Sequence, residues 1–247
     1  MKLWGEIEIL EPWPAIHISK IDAIAIADLH LGYEGIMAEQ GIFVPKVQFE
    51  KEMEILKEIV KKQRASRFII CGDIKHEFSE TSYHEFVEVT DLFKFLRENL
   101  REVIAIKGNH DNYLIRVTRR HDIALYDELE FGDFYFMHGH EVPKGLTTTK
   151  AKYVIMAHEH PAIVLYDEVG GKEKLDCFLY GDFNDKKLLV LPAFSTLAEG
   201  SQINVIPKEE LLSPILRDLV DIDELKVVGI APEIGCLEFP KLGKLRL

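Results

Sequence analysis

The stretch DAIAIADLH, residues 22–30, decides the fold. It opens with a short apolar run that predicts a buried β-strand from Asp22 to Ala27. The run ends abruptly at two polar side chains, Asp28 and His30. The same arrangement, an apolar strand followed at once by polar residues, returns along the chain and determines both the predicted sheet and the predicted site.

Two further buried strands are predicted, each preceded by a helical pattern. RFIIC (residues 67–71) is a predicted strand that ends at GD (72–73), and a strand over residues 103–106 ends at GNHD (108–111). The first helix is expected to begin at Pro45, after an irregular glycine-containing stretch. The buried faces of the two helices are marked by Phe49, Met53, Leu56 and Val60, and by Phe86, Val89, Phe93, Leu96 and Leu100. This order predicts parallel strands joined by right-handed crossovers.

The second half of the chain has a different pattern. After about residue 123, short β-like runs alternate with turn signals at residues 131–133, 170–171 and 181–185, which predict hairpins. The predicted fold class is therefore α/β, a sandwich of two mixed β-sheets flanked by helices. No repeat or linker-like tract divides residues 1–247, so we expect one domain. Residues 164–247 are expected to complete the second sheet, with edge strands and loops over residues 200–247.

Composition excludes several classes of protein. With 30 Lys plus Arg against 42 Asp plus Glu, the formal net charge of −12 argues against a surface built for non-specific nucleic-acid binding. Hydrophobic residues make up 47 %, too many for a disordered chain. Three scattered cysteines provide neither a disulfide framework nor a thiolate zinc site. Without a signal peptide or a long apolar run, a cytoplasmic protein with no membrane association is expected.

Five clusters of metal-ligating residue types stand at the ends of predicted strands. They are DLH (28–30), GD (72–73), GNHD (108–111), HGH (138–140) and HEH (158–160). In an open α/β sheet the carboxyl ends of the strands meet at one edge, so residues distant in sequence converge there. Asp, Asn and His suit Mn, Fe, Zn or Ni, and they outnumber the ligands of one catalytic zinc. The set is sufficient for two metals that share a bridging carboxylate.

Each cluster alone has a simpler interpretation. Asp28 and His30 are compatible with a turn residue and a surface histidine, and the Gly, Asn and Asp residues of the other clusters are ordinary turn formers. The ordered combination of all five clusters is what makes the pattern specific for a metal centre.

The ordered set D-x-H, G-D, G-N-H-D, H-G-H and H-x-H resembles the calcineurin-like metallophosphoesterase superfamily, over residues 22 to about 163. The resemblance implies a four-layer α/β/β/α sandwich. ADLHLGYE (27–34) is similar to the SbcD-type repair nucleases. With GDIKHEF (72–78) and AHEHPAI (157–163), the chain resembles the stand-alone archaeal SbcD-related phosphoesterases and the bacterial DNA-ligase-associated metallophosphoesterases more closely. One departure is Ala157, where the superfamily usually has glycine.

The resemblance also implies a role for each motif residue. The first metal would be bound by Asp28, His30 and His160, the second by Asn109, His138 and His158, and Asp73 would bridge the two. His110 would lie near the scissile phosphate, with Asp111 orienting it. His140 and Glu159 are interpreted as neighbours of the ligands or rim groups. Mn²⁺ is the expected metal, with Fe, Zn and Ni as alternatives.

The implied activity is that of a phosphodiesterase dependent on two metals. A metal-bridging hydroxide would attack the phosphorus in line, and His110 would protonate the leaving oxygen. The subgroup resemblance favours a nuclease acting on DNA or RNA in repair, with a DNA-repair protein as a further partner. The alternatives are a small-molecule phosphodiesterase or phosphatase, and a non-catalytic scaffold such as the retromer subunit of this fold. A homodimer is also compatible with the sequence.

Basic and aromatic residues near the motifs are candidates for substrate contacts. A basic rim that attracts phosphate is expected from Lys75, Arg116, Arg119 and Arg120, with the lysines at 107, 144, 150 and 152. Tyr113, together with Tyr33 and Phe78, is a candidate for stacking on bases. The simpler alternatives are solvated surface charges and aromatic rings packed under loops.

Overall fold

A computed structural model describes residues 1–42, 45–78, 81–167 and 169–247. In this part of the chain two β-sheets form, and the first has seven strands. Its strands are β1 (Lys2–Trp4), β2 (Ile7–Ile9), β3 (Ile16–Ile18), β4 (Ala23–Ile26), β5 (Arg67–Cys71), β6 (Glu102–Ile106) and β7 (Ala124–Tyr126). They lie side by side in chain order, antiparallel from β1 to β4 and parallel from β4 to β7.

The second sheet is also mixed. Its described strands are β8 (Glu128–Phe131), β9 (Phe134–Met137), β10 (Tyr153–Met156), β11 (Pro161–Tyr166), β12 (Lys172–Phe183), β13 (Lys186–Val190), β14 (Ser201–Gln202), β15 (Lys226–Ala231) and β16 (Gly235–Lys241). The strands β9, β10 and β13 are parallel neighbours. The long strand β12 pairs antiparallel with β11, β13 and β15, and β15 pairs with β16.

Helices lie outside both sheets. The α-helices of the described residues are α1 (Tyr33–Glu39), α2 (Gln48–Lys62), α3 (Tyr83–Asn99), α4 (Ile115–Thr118), α5 (Lys144–Thr148) and α6 (Pro214–Asp218). A capping box starts α3: Ser82 Oγ accepts from Glu85 N–H (3.2 Å), and the Glu85 carboxylate accepts from Ser82 N–H (2.7 Å). No helix among the described residues is long and apolar enough to span a membrane.

Three apolar clusters hold four layers together. Successive side chains of β4 point to opposite faces, so Ile24 and Ile26 pack with α2 and α3, whereas Ala23 and Ala25 pack between the sheets. Phe136 of β9 and Phe178 of β12 fill the same central layer from the other side. A third cluster joins the outer face of the second sheet to α5 and α6. The predicted α/β sandwich of two mixed sheets flanked by helices is confirmed.

Several local predictions were wrong. The stretch expected to be irregular contains α1. The helix expected to begin at Pro45 begins at Gln48, because the buried Glu34 Oε1 accepts from Val47 N–H (2.9 Å) and Gln48 N–H (3.0 Å) and caps it there. Gly181 lies inside β12 rather than in a turn. Residues 200–247 contain α6 as well as strands, and β15 is an interior strand with partners on both sides.

Candidate metal centre

The ligand-type residues lie at one edge of the molecule, where strands of both sheets end. In the first sheet, the parallel strands β4, β5 and β6 lead into Asp28, Asp73 and Asn109, respectively. In the second sheet, the parallel strands β9 and β10 lead into His138 and His158. Asp28 N–H donates to Gly72 O (3.0 Å), which joins the first two loops. Asp28, Asp73 and His158 have left-handed backbones (φ 54°, 48° and 70°), so the chain turns sharply at these ligand positions.

One group of possible ligands consists of Asp28, His30, Asp73 and His160, whose ligand atoms lie within 4.8 Å of one another. His160 Nε2 is 3.4 Å from Asp28 Oδ2 and 3.4 Å from His30 Nε2. His30 Nε2 is 3.9 Å from Asp73 Oδ2. These are the residues that the resemblance implied for a first metal, together with the proposed bridging carboxylate.

A second group consists of Asp73, His138 and His158. His138 Nε2 lies 3.2 Å from Asp73 Oδ2, 3.2 Å from His158 Nδ1 and 3.1 Å from Asn109 Oδ1. The other ring nitrogen of His138 donates to Cys71 O (2.9 Å), which leaves Nε2 as the atom that faces the group. Asp73 belongs to both groups, so its carboxylate stands where the implied bridge would be.

The environment of these side chains fits divalent cations. Burial lowers the pKa of both His30 and His158 to about 3, so both imidazoles are neutral and available as ligands. Asp28 is fully buried, and its Oδ1 has no hydrogen-bond partner in the described part of the chain. An unpartnered buried carboxylate oxygen is costly unless a cation satisfies it. Imidazole, carboxylate and amide donors together suit borderline divalent metals.

His110 lies at the same edge and contacts a histidine that the sequence analysis did not single out. Its Nε2 is 3.9 Å from Asp73 Oδ2, and its Nδ1 donates to the carbonyl of His76. The His76 imidazole forms a third group of possible ligands with those of His30 and His110. The ring of Tyr33 packs on it, with centroids 4.0 Å apart. The signal for His76 was its place in GDIKH, three residues after Asp73.

The resemblance implied that Asp111 orients the His110 ring. In the structure the side chain of Asp111 has a different role. Its carboxylate is buried and accepts hydrogen bonds from the backbone N–H groups of Ile74 (2.9 Å), Lys75 (3.3 Å) and Gly108 (2.9 Å). These amides flank the ligand positions of two different loops, so Asp111 fixes the loops to one another. The orienting contact to His110 comes instead from the His76 carbonyl.

The predicted basic rim is only partly formed. Lys75 is buried, and its Nζ donates to the carbonyl of Glu77, because its strand-end loop turns the side chain inward. It therefore does not contact substrate from the rim. Arg116, Arg119 and Arg120 are exposed on and after α4. Tyr113 is 47 % exposed rather than packed under a loop.

The rim residues of the histidine clusters differ from each other. His140 is half-buried with its ring 5.4 Å from that of His138, next to the second group. Glu159 instead faces the segment before α6, where its carboxylate accepts hydrogen bonds from the backbone N–H groups of Leu212 (3.3 Å) and Ser213 (2.9 Å). Ala157 is buried with its φ outside the left-handed region, so alanine is accommodated without strain.

A pocket of about 330 Å³ opens to solvent beside the first group. It is lined by His30, Tyr33, His76, His110, His160, Leu197, Ala198 and Glu199. The loop over residues 195–199 is held by Gln48, which the sequence analysis also missed. The buried Gln48 Nε2 donates to Ser195 Oγ (2.9 Å) and to the carbonyls of Leu29 (3.1 Å) and His30 (3.3 Å). One side chain of α2 thus fixes both a ligand loop and a pocket wall.

Solved structures with a similar fold include phosphoesterases. The nuclease MPE of Pseudomonas putida superposes with a TM-score of 0.63 at 22 % identity, covering 91 % of this chain and 92 % of that one. Weaker matches are a metallophosphoesterase from Sphaerobacter thermophilus (TM-score 0.41, 10 % identity, 89 % of this chain and 88 % of that one) and the E. coli phosphoesterase Yfce (0.42, 14 %, 89 % and 98 %).

Sequence comparison gives the family directly. No curated protein matches this chain. The family model for the calcineurin-like phosphoesterases matches residues 22–162, more than half of the sequence, and this range contains every ligand position of the site. The chain belongs to the calcineurin-like phosphoesterase family.

Proposed function

We propose that this phosphoesterase is a binuclear-metal-dependent phosphodiesterase that acts on nucleic acid. The observation that carries the proposal is the position of Asp73, whose carboxylate belongs to two groups of ligands at the same edge. The residues that would hold the cations are Asp28, His30, Asp73 and His160 on one side, and Asp73, Asn109, His138 and His158 on the other. We propose Mn²⁺ as the metal.

The side chains around the two groups support phosphoryl transfer. A pair of divalent cations supplies, when bound, an activated water and neutralisation of the phosphate charge. His110 presents Nε2 toward the pocket because its Nδ1–H is donated to the His76 carbonyl. In its imidazolium form, Nε2–H delivers a proton to the leaving oxygen. Neutral His30 and the neighbouring His160 line the pocket in which the phosphate would lie.

Three observations favour a nucleic-acid diester over a small phosphomonoester. The pocket opens to solvent beside the exposed ring of Phe78 instead of enclosing a small molecule. The structure of the P. putida protein named a nuclease has the same fold over most of both chains. The motifs resemble those of SbcD-related and DNA-ligase-associated phosphoesterases, which also supports a role in DNA repair.

The test is hydrolysis of bis(p-nitrophenyl) phosphate beside p-nitrophenyl phosphate, using metal-stripped protein with and without added Mn²⁺. Diester cleavage that requires Mn²⁺, followed by cleavage of a labelled oligonucleotide, is the expected result. Cleavage of the monoester alone would replace the proposal by a phosphatase. Mn²⁺ binding without turnover of any of the three substrates would favour a scaffold that keeps its ligands for structure.

A further inference from the structure

We propose that the cleft between the start of α3 and the helical turn after Tyr113 is a second phosphate subsite. It would bind a backbone phosphate of the substrate chain remote from the scissile one. This inference rests on the proposed function, because it concerns how a polynucleotide reaches the metal centre. The cleft has a volume of about 290 Å³, and its walls include Thr81, Ser82, Tyr83, Phe86, Arg116 and Arg120.

The two arginines are built into the cleft as a pair. Arg120 follows Arg116 by four positions on α4 and the next helical turn, so both side chains lie on the same face. The guanidinium of Arg116 lies over the ring of Tyr113 (5.2 Å to the centroid), and that of Arg120 over the ring of Phe86 (5.3 Å). Stacking on a ring holds a guanidinium in place while its N–H groups stay available.

The charge of this cleft is unusual in an acidic protein. The chain has a net charge of −12, yet among the residues that the structure describes no carboxylate lies within 4.0 Å of the guanidinium of Arg116 or Arg120. Two guanidinium groups without such partners can bind an anion without first breaking an ion pair. Their planar N–H groups match phosphate oxygens in a bidentate geometry. Ser82 Oγ accepts from Glu85 N–H and still has its own proton to donate.

Contacts between two loops connect the surroundings of the cleft to the metal centre. Asn112 Nδ2 donates to Asn109 O (3.3 Å) and to Phe78 O (3.1 Å), so the loop with a metal ligand is tied to the loop before α3. The exposed ring of Phe78 lies against that of His110, with centroids 3.7 Å apart and the two planes tilted by 31°. From Asn109 to Arg116 the backbone spans at most about 25 Å. One polynucleotide chain can therefore contact the metal centre, the ring of Phe78 and the arginines together.

Arg119, which the sequence analysis placed in the same basic rim as Arg116 and Arg120, provides a matched control that separates a general rim from a built subsite. It is exposed on the same helical turn and carries the same charge, but it does not line the cleft. A subsite predicts that the double variant Arg116→Gln/Arg120→Gln is impaired on long substrates and that Arg119→Gln is not. A general effect of positive charge predicts similar losses for each arginine removed.

The experiment measures Mn²⁺-dependent cleavage of a labelled oligonucleotide of roughly 20 nucleotides. This length is greater than the number of nucleotides that a typical single-strand-binding fold covers. For the double variant we expect KM to rise about tenfold or more, with kcat little changed. The slope of log KM against log salt should fall by about 0.7–0.9 for each phosphate that the variant no longer binds. Bis(p-nitrophenyl) phosphate, too short to reach the cleft, checks that the metal centre of the variant is intact.

The outcomes separate this proposal from the proposed function. An unchanged KM and salt slope in the double variant, or an equal loss in Arg119→Gln, would overturn the subsite while the nuclease activity stands. Wild-type protein that hydrolyses the small diester but no oligonucleotide would overturn the subsite and the choice of nucleic acid. Failure to hydrolyse either would reject the diesterase itself.

Discussion

At the scale of single residues, the carboxylate of Asp73 is contacted by groups from three other loops of the site. Its Oδ1 accepts from the N–H of His110 (2.9 Å), and its Oδ2 lies 3.2 Å from His138 Nε2 and 3.9 Å from His30 Nε2. Burial alone would raise the pKa of Asp73, but the surrounding histidines, His138 foremost, lower it below its ordinary value. The carboxylate is therefore ionised and available to cations on two sides.

Substitutions at Asp73 and His110 should separate metal binding from catalysis. We expect Asp73→Ala to lose most of its bound Mn²⁺ and nearly all activity, because both ligand groups contain this carboxylate. His110→Ala should keep its Mn²⁺ and lose about 10²–10⁴ in kcat, the usual contribution of a positioned acid. Metal content by elemental analysis and kcat on the diester check both variants. Loss of Mn²⁺ from His110→Ala would make His110 a ligand.

Position 108 requires glycine because there is no room for a Cβ atom. A Cβ at this position would lie less than 3.0 Å from both the carboxylate and the backbone nitrogen of Asp73. Since φ at Gly108 is outside the left-handed region, the conflict is steric and falls on the Asp73 carboxylate. We expect Gly108→Ala to lower Mn²⁺ affinity at least tenfold, as measured by calorimetric titration. Gly5→Ala, with nothing within 4 Å of the added atom, is the control that should bind normally.

At the scale of elements, α2 braces the pocket wall. Gln48 and Glu52 stand one helical turn apart on its buried face, and both bond the loop that carries Ser195. Glu52 Oε1 accepts from Thr196 N–H (3.0 Å), and its Oε2 is buried without a partner among the described residues. Burial raises the pKa of Glu52 to about 8, so the carboxyl is protonated in the folded protein at neutral pH.

Glu52→Gln should change how stability depends on pH. The unfolded carboxyl ionises near pH 4.5, whereas the folded one keeps its proton to about pH 8, so the wild-type free energy of unfolding falls as pH rises through this window. Glutamine removes this fall. The variant should therefore gain stability relative to wild type, by at most about 5 kcal/mol, as pH rises across the window. Urea unfolding at several pH values measures this difference, and a pH-independent difference would contradict the prediction.

At the scale of the whole molecule, the metal centre joins the two sheets. The first sheet contributes Asp28, His30, Asp73 and Asn109, and the second contributes His138, His158 and His160. Behind this edge the sheets are held by the apolar layer that contains Phe136 and Phe178. Because the site exists only when both sheets are in place, cation binding is linked to the folding of the whole chain.

Mn²⁺ should therefore stabilise the folded protein by an amount that rises with the logarithm of its free concentration relative to Kd. At a free concentration about 100 times Kd, the expected gain is about 2.7 kcal/mol per site, or roughly 5–10 °C in Tm for a chain of this size. A thermal melt over a series of Mn²⁺ concentrations measures the shift. Asp73→Ala should show little or none of it. An equal shift in that variant would place the stabilising cation elsewhere.

Much of the fold was predictable because its signals are local. The buried strands β4, β5 and β6 are short apolar runs, and turn residues mark the hairpin between β8 and β9. The first three strands were not predicted, and α1 was missed because glycines interrupt its sequence. The start of α2 shifted because a glutamate from α1 caps it, which is a contact across the tertiary structure.

By itself the sequence determined which residues stand at the strand ends, and with them the family and the ligand groups, because parallel strands bring their carboxyl ends to one edge. Only the tertiary structure decided where the other side chains point. Lys75 and Asp111 turn inward to satisfy backbone groups, and His76 takes the contact to His110 that Asp111 was expected to make. These outcomes depend on the burial of Lys75 and, for Asp111 and His76, on hydrogen bonds between segments far apart in sequence, which no local pattern encodes.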